Sequence, residues 1–218
     1  EGSLVMHIVG LWVNHRHPDL LALLSAARNG REQRNVAMVE RLRGLGCPVE
    51  LDDVRAVAGG GVLGRPHFAQ VLVRQGHCRN QRDAFTQYLG RGKPAYVSRT
   101  LPPVEDVLAV LGAAGAASVW AHPLTSKAVT GAKLLRVADR LRGLGLDAIE
   151  VYYPDHTEHQ TRTATEYARR LGLLISGGSD FHGDNVPGIG LGCGRGSLAV
   201  PDAIRSEEHT SELQSPNT

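Results

Sequence analysis

The sequence predicts an α/β protein whose strands are interrupted by an all-helical module. Three observations lead there. Helix and strand patterns alternate after Val97, the strand segments are short continuous apolar runs, and residues 50–92 carry helical periodicity with no period-two stretch. Apolar strands of this kind are buried on both faces, as in an α/β barrel or an open parallel sheet, and both architectures gather chemistry at the carboxyl ends of the strands. A chain of 218 residues with 42% hydrophobic content suits one large domain carrying an insertion. The formal charge of +2 gives no bulk nucleic-acid surface, so any anion must be recognised locally. No apolar run approaches the ~18 residues of a membrane span. Cys47, Cys78 and Cys193 form no CxxC pair, which fits a reducing, cytoplasmic compartment.

Leu4–Val13 is apolar and closes on the polar turn Asn14-His15-Arg16-His17-Pro18, so it reads as a first buried strand. From Asp19 to about Leu45, apolar residues recur every three or four positions. That pattern is one long helix or a broken pair, with Asn29-Gly30 the weak point and Gly46 the stop. Shorter helices follow at Leu51–Ala58, Pro66–Arg74 and Gln81–Leu89. Then Pro103–Gly112 reads as helix, Ser118–Ala121 as strand, Lys133–Leu144 as helix, Ala148–Tyr152 as strand, Glu158–Leu171 as helix and Leu173–Ser176 as strand. The expected organisation is a first part of the α/β domain over 1–30, a helical insertion over 31–97 and the remaining α/β part over 98–205. Residues 206–218 lack apolar periodicity, resemble translated sequencing-adapter sequence and are set aside as a non-native or disordered tail.

Asp180 and His182 lie two apart at a strand end, and in extended backbone such side chains point the same way. Together they suit Zn²⁺, Mn²⁺ or Fe²⁺; Asp180 can equally be a helix N-cap beside an incidental histidine. His122 precedes Pro123, which biases it toward extended backbone, and it serves there as ligand or as structural hydrogen-bonder. His7 interrupts an apolar run, where an unpaired imidazole is costly to bury; a metal or a core carboxylate would satisfy it. Glu150 within Ile149-Glu150-Val151 suits an acceptor for a ligating histidine, whereas His156 reads as a solvated loop residue. In the helical module, Gly64-Arg65-Pro66-His67 and Gly90-Arg91-Gly92-Lys93 set cations beside flexible backbone, which suits phosphate and equally ordinary surface charge.

Taken in order, His7-Ile8-Val9-Gly10, Gly59–His67, Tyr88–Val97, Ala121-His122-Pro123, Ile149–Tyr153 and Ser179-Asp180-Phe181-His182 resemble the polymerase-and-histidinol-phosphatase (PHP) metallohydrolases. The nearest branch carries a helical insertion and includes nucleoside-3′,5′-bisphosphate phosphatases that also trim RNA from its 5′ end. The resemblance spans about residues 4–204. It implies a distorted (β/α)7 TIM-like barrel, incomplete in this chain, with up to three divalent metals, Mn²⁺ first and Zn²⁺ or Fe²⁺ as alternatives. By that similarity His7, His122, Asp180 and His182 are metal ligands and catalytic residues, while Arg65, His67, Arg91 and Lys93 grip substrate phosphates.

The implied reaction is metal-assisted hydrolysis of a phosphomonoester on a nucleotide or an RNA 5′ end, with no reading of duplex DNA, no membrane and no obligate protein partner. The family's opening His-x-His motif, its Asp-His motif and the Glu of its Gly-Val-Glu motif would precede the first strand here. None is present, so the chain is expected to be an N-terminally truncated piece that is weak or inactive in catalysis. A phosphatase for a histidinol-phosphate-like compound and an inactive metal-binding fragment are the alternatives.

Overall fold

The structure is a computed structural model and describes residues 4–126, 129–182, 188–195, 198–202 and 204. Its elements in chain order are β1 (His7–Leu11), α1 (Pro18–Gly44), α2 (Leu51–Ala58), α3 (Arg65–Arg74), α4 (Gln81–Ala84), α5 (Val104–Ala113), β2 (Ala117–Ala121), α6 (Gly131–Gly143), β3 (Ala148–Tyr152), α7 (Glu158–Leu171) and β4 (Leu174–Gly177). A π-helical turn, Phe85–Leu89, continues α4, and a 3-10 turn, Pro123–Thr125, follows β2. Local chemistry sets the ends of α7. Thr157 Oγ1 accepts the Gln160 N–H, the Gln160 side chain accepts the Thr157 N–H in return, and Gly172 stops the helix at φ +65°. Of the two readings of this stretch, the single long helix holds and the broken pair does not, because α1 runs through Asn29-Gly30. One helical glycine costs about 1 kcal/mol, too little to sever a long helix with intact neighbours.

The chain divides into two compact units, Leu21–Pro102 and the described residues on either side of that stretch. The first is all helical and has its own core, in which Met38, Leu42, Val54, Phe68, Leu72 and Leu89 are fully enclosed. In the second, one four-stranded sheet runs in the order β1-β2-β3-β4. The strands β2, β3 and β4 are mutually parallel, with α6 and α7 as the connections. The first strand departs from the expected pattern: β1 is antiparallel to β2. Apolar runs carry no sign of direction, and the long connection between these two strands imposes no crossover geometry.

Register sorts the side chains. Ile8 stands opposite Trp120, Trp120 opposite Ile149 and Ile149 opposite Ile175, and this row enters the core with Leu134, Leu141 and Ala164 of the helices. The next row, one residue along each strand, contains His7, Ala121, Glu150 and Ser176 and faces the other way. At the end of β4, a Cβ on Gly177 would sit 2.6 Å from Tyr152 Cβ and 3.0 Å from its carbonyl oxygen. Neither atom is the free end of a side chain, so the strands themselves must part. Gly177→Ala should therefore cost roughly 1–3 kcal/mol, read as a lower urea midpoint for the sheet-bearing unit. An unchanged midpoint would show that β3 and β4 do not pack as described.

Candidate functional site

The antiparallel register places the first residue of β1 beside the last of β2, His7 opposite Ala121. His7 and His122 therefore meet although 115 positions separate them: Nδ1 of His7 is 3.0 Å from Nε2 of His122, with the rings edge to face. Both line a cleft with Leu4, Met6, Pro123 and Thr125. His7 is exposed here, not buried in an apolar run as its neighbours suggested, because the outward-facing row of the sheet lies open at this edge.

His122 does not adopt the extended backbone expected before proline. It lies in the left-handed region at φ +33°, ψ 53°. Strain of this kind costs about 1–3 kcal/mol and persists where surroundings over-determine it. The surroundings are Glu150 and Thr125. Glu150 Oε2 accepts the His122 N–H at 2.7 Å, and the Thr125 hydroxyl donates to the His122 carbonyl oxygen at 2.9 Å. With its proton committed there, Thr125 Oγ1 accepts from His122 Nδ1 at 3.3 Å. The ring is thereby held as the tautomer whose Nε2 is bare and turned toward His7. Glu150 acts as the expected acceptor, but on the backbone of His122. Thr125 was missed; a threonine three residues after the His122 of His-Pro is its only signal in the sequence.

Asp180 is also left-handed, at φ +49°, so extended-chain alternation does not align it with His182. A turn does: His182 Nδ1 donates to the Asp180 carbonyl oxygen at 2.7 Å and lies 3.5 Å from its carboxylate. Tyr153 connects the pairs. Its hydroxyl donates to Asp180 Oδ2 at 3.2 Å while its ring stands 5.1 Å from that of His122. Burial, reinforced by the Asp180 charge, pushes the Tyr153 phenol up to about 12. His156 is not the solvated loop residue expected. Its Nδ1 donates to the Val151 carbonyl oxygen at 3.0 Å, its Nε2 is buried, and burial holds its pKa below the ordinary value.

The residues assigned to phosphate all lie in the helical unit. His67 Nδ1 accepts the Gly64 N–H at 3.0 Å and so caps α3, Arg65 donates to the Leu89 carbonyl oxygen at 3.3 Å, and Arg91 and Lys93 are exposed.

Two ring nitrogens on one ion with bonds of ~2.0–2.1 Å stand roughly 2.9–3.4 Å apart. His7 Nδ1 and His122 Nε2 have that separation, so the pair fits a metal ion. Asp180 and His182 form a second pair. Among the described residues no three His, Cys, Asp or Glu groups gather on a single point.

Burial pushes the Glu150 carboxyl up to about 7 against the pull of the His122 N–H, and the Asp180 charge adds to the rise. Its folded pKa exceeds the ordinary 4.5, so the folded chain holds the extra proton between these values. The associated stability is complete below the lower value and is lost as pH rises through the upper one. In chelator, Glu150→Gln, which keeps an acceptor for the His122 N–H, should flatten the fall in melting temperature between about pH 5 and about pH 8. A slope equal to wild type would refute the role of Glu150.

No family model matches the chain. It is 34% identical over 177 residues to a 5′-3′ exoribonuclease of Haemophilus influenzae, covering 81% of this chain and 64% of that protein. To the 3′,5′-nucleoside bisphosphate phosphatase of Chromobacterium violaceum it is 32% identical over 200 residues, 88% of this chain and 67% of the relative. The chain thus spans about two thirds of the length of the curated relatives it matches. Its fold is similar to the crystal structure of a protein assigned as a metal-dependent phosphoesterase from Bifidobacterium adolescentis, with a TM-score of 0.75, 28% identity and coverage of 94% of this chain and 71% of that one. With 32% identity over two thirds of the nucleoside bisphosphate phosphatase, the protein belongs to the PHP-type phosphoesterases, the family of that phosphatase and of the exoribonuclease.

Proposed function

We propose that the protein is a divalent-metal-dependent phosphoesterase that hydrolyses a phosphomonoester of a nucleoside 3′,5′-bisphosphate or of an RNA 5′ end in the cytoplasm. The observation that carries this reading is the 3.0 Å approach of His7 Nδ1 to His122 Nε2 at the joined ends of β1 and β2. His7, His122, Asp180 and His182 are the metal-holding residues, with Mn²⁺ the first choice. When bound, such an ion polarises the phosphoryl oxygens and lowers the pKa of water. The protein's own part is positional. Thr125 selects the His122 tautomer, Glu150 holds the strained backbone that aims it, and Tyr153 steers the Asp180 carboxylate. The open sheet is read as part of a (β/α)7 barrel, with 31–97 as its helical insertion.

A second reading, a metal-binding chain without turnover, is favoured by one observation: among the described residues the donors come as two pairs. Two measurements separate the readings. Mn²⁺ binding by titration calorimetry should be abolished in His122→Asn and weakened about 10–100-fold in Thr125→Val. Phosphate release from adenosine 3′,5′-bisphosphate should require Mn²⁺, stop in EDTA and fall in the same order. Mn²⁺ binding without release would establish the second reading, and release unaffected by His122→Asn would overturn both.

A further inference from the structure

Asp180 stands on a left-handed turn, and the bond that aims its carboxylate is long. The Tyr153 hydroxyl reaches Asp180 Oδ2 at 3.2 Å, beyond the roughly 2.5–3.0 Å usual between oxygens, and neither residue is buried. A contact of that length, open to water, does not by itself hold together two loops, one after β3 and one after β4. A third segment touches both.

That segment is Gly188–Arg195, in which every second residue from Gly188 to Gly194 is glycine. Gly190 and Gly194 exchange backbone hydrogen bonds of 2.7 and 3.0 Å, which close it into a tight hairpin turn. From within the turn the Gly192 N–H donates at 3.1 Å to Oγ of Ser179, the buried residue directly before Asp180. On its other side the hairpin meets the turn after β3, which the His156 N–H closes by donating to the Tyr153 carbonyl oxygen at 3.1 Å. Arg195 Nε donates to Asp155 Oδ1 at 2.7 Å, and a Cβ on Gly194, at φ +57°, would sit 2.7 Å from Pro154 Cγ. Glycine permits both that backbone and that approach. Asp155 and Arg195 are each about half exposed, so their ion pair adds little to folding. Its consequence lies in where it puts the two loops.

We propose that Gly188–Arg195 is a clasp and Arg195 a positioning residue: gripping Pro154 and Asp155 on one side and Ser179 on the other, the clasp sets the approach of Tyr153 to Asp180. The Tyr153 ring also stands 5.1 Å from that of His122, so the same grip fixes where the Asp180 carboxylate lies relative to His122. The bearing of the clasp on a metal ion rests on the proposed function, whereas the contact it holds does not.

The test uses the full chain with its tyrosines labelled by ¹³C at Cζ, the Tyr153 line being assigned by its loss in Tyr153→Phe. In EDTA, Arg195→Gln should move that line to the position it takes in Asp180→Ala, where the phenol has lost its acceptor. Arg195→Lys, which keeps a cation, and the exchanged pair Asp155→Arg with Arg195→Asp should return it toward the wild-type position. Arg142→Gln, which breaks a comparably exposed ion pair with Asp139 on α6, should leave it in place. The arginine variants should melt within about 2–4 °C of wild type. With Mn²⁺, calorimetry should show binding weakened about 3–10-fold in Arg195→Gln, and no further weakening where Tyr153 is already Phe. An unmoved line in Arg195→Gln, an equal movement in Arg142→Gln, or a movement that neither restoring variant reverses would overturn the clasp. Unchanged Mn²⁺ affinity beside a moved line would overturn its part in placing the ligand. A wild type that binds no Mn²⁺ refutes the proposed function instead, and the line measured in EDTA still decides the clasp.

Discussion

Antiparallel pairing of β1 with β2 is the constraint on which the candidate site depends. Three parallel strands bring only their carboxyl ends to one edge of a sheet. A fourth, reversed strand contributes its amino end to the same edge, and His7 is the first residue of that strand. Had β1 run parallel, the same register of apolar residues would have carried His7 to the opposite edge, a strand length from His122. The row that turns Ile8, Trp120, Ile149 and Ile175 into the core also turns His7 and Glu150 away from it, so core packing and site geometry are set by one register.

Within that frame the edge is built from strained backbone held by polar contacts. Two of the three non-glycine residues with positive φ among the described residues are His122 and Asp180, both candidate ligands. Each is tied by side chains that come from elsewhere in the chain: Glu150 to His122 from the neighbouring strand, and Tyr153 to Asp180 from just past the same strand. Burial of Glu150 follows from its place among Ile149, Val151 and the sheet, and that burial raises its pKa. One strand, β3, thus supplies both the core contacts and the acceptor that holds His122.

The helical unit solves a different problem. Its core of Met38, Leu42, Phe68 and Leu72 is apolar and closed, yet one face of α1 next to that core carries Arg31, Arg34 and Asn35. Packing fixes where these groups stand, and nothing among the described residues neutralises them. The net charge of +2 is an average over the whole chain and gives no sign of such a local grouping.

The sequence by itself determined the elements and the residue types at their ends. Leu51–Ala58, Ala148–Tyr152 and Glu158–Leu171 follow from periodicity and caps, because those signals are local and survive without knowledge of neighbours. His7, His122, Asp180 and His182 were likewise legible as polar residues beside apolar strands, and Glu150 as an acceptor. Only the tertiary structure decided the direction of β1, the left-handed backbone of His122 and Asp180, the tautomer-setting contact of Thr125 and the partial burial of His156. Each depends on a partner distant in sequence or on a backbone turn imposed from outside. Hydrogen bonds and charges act across space, whereas a pattern along the chain registers only what its own neighbours require.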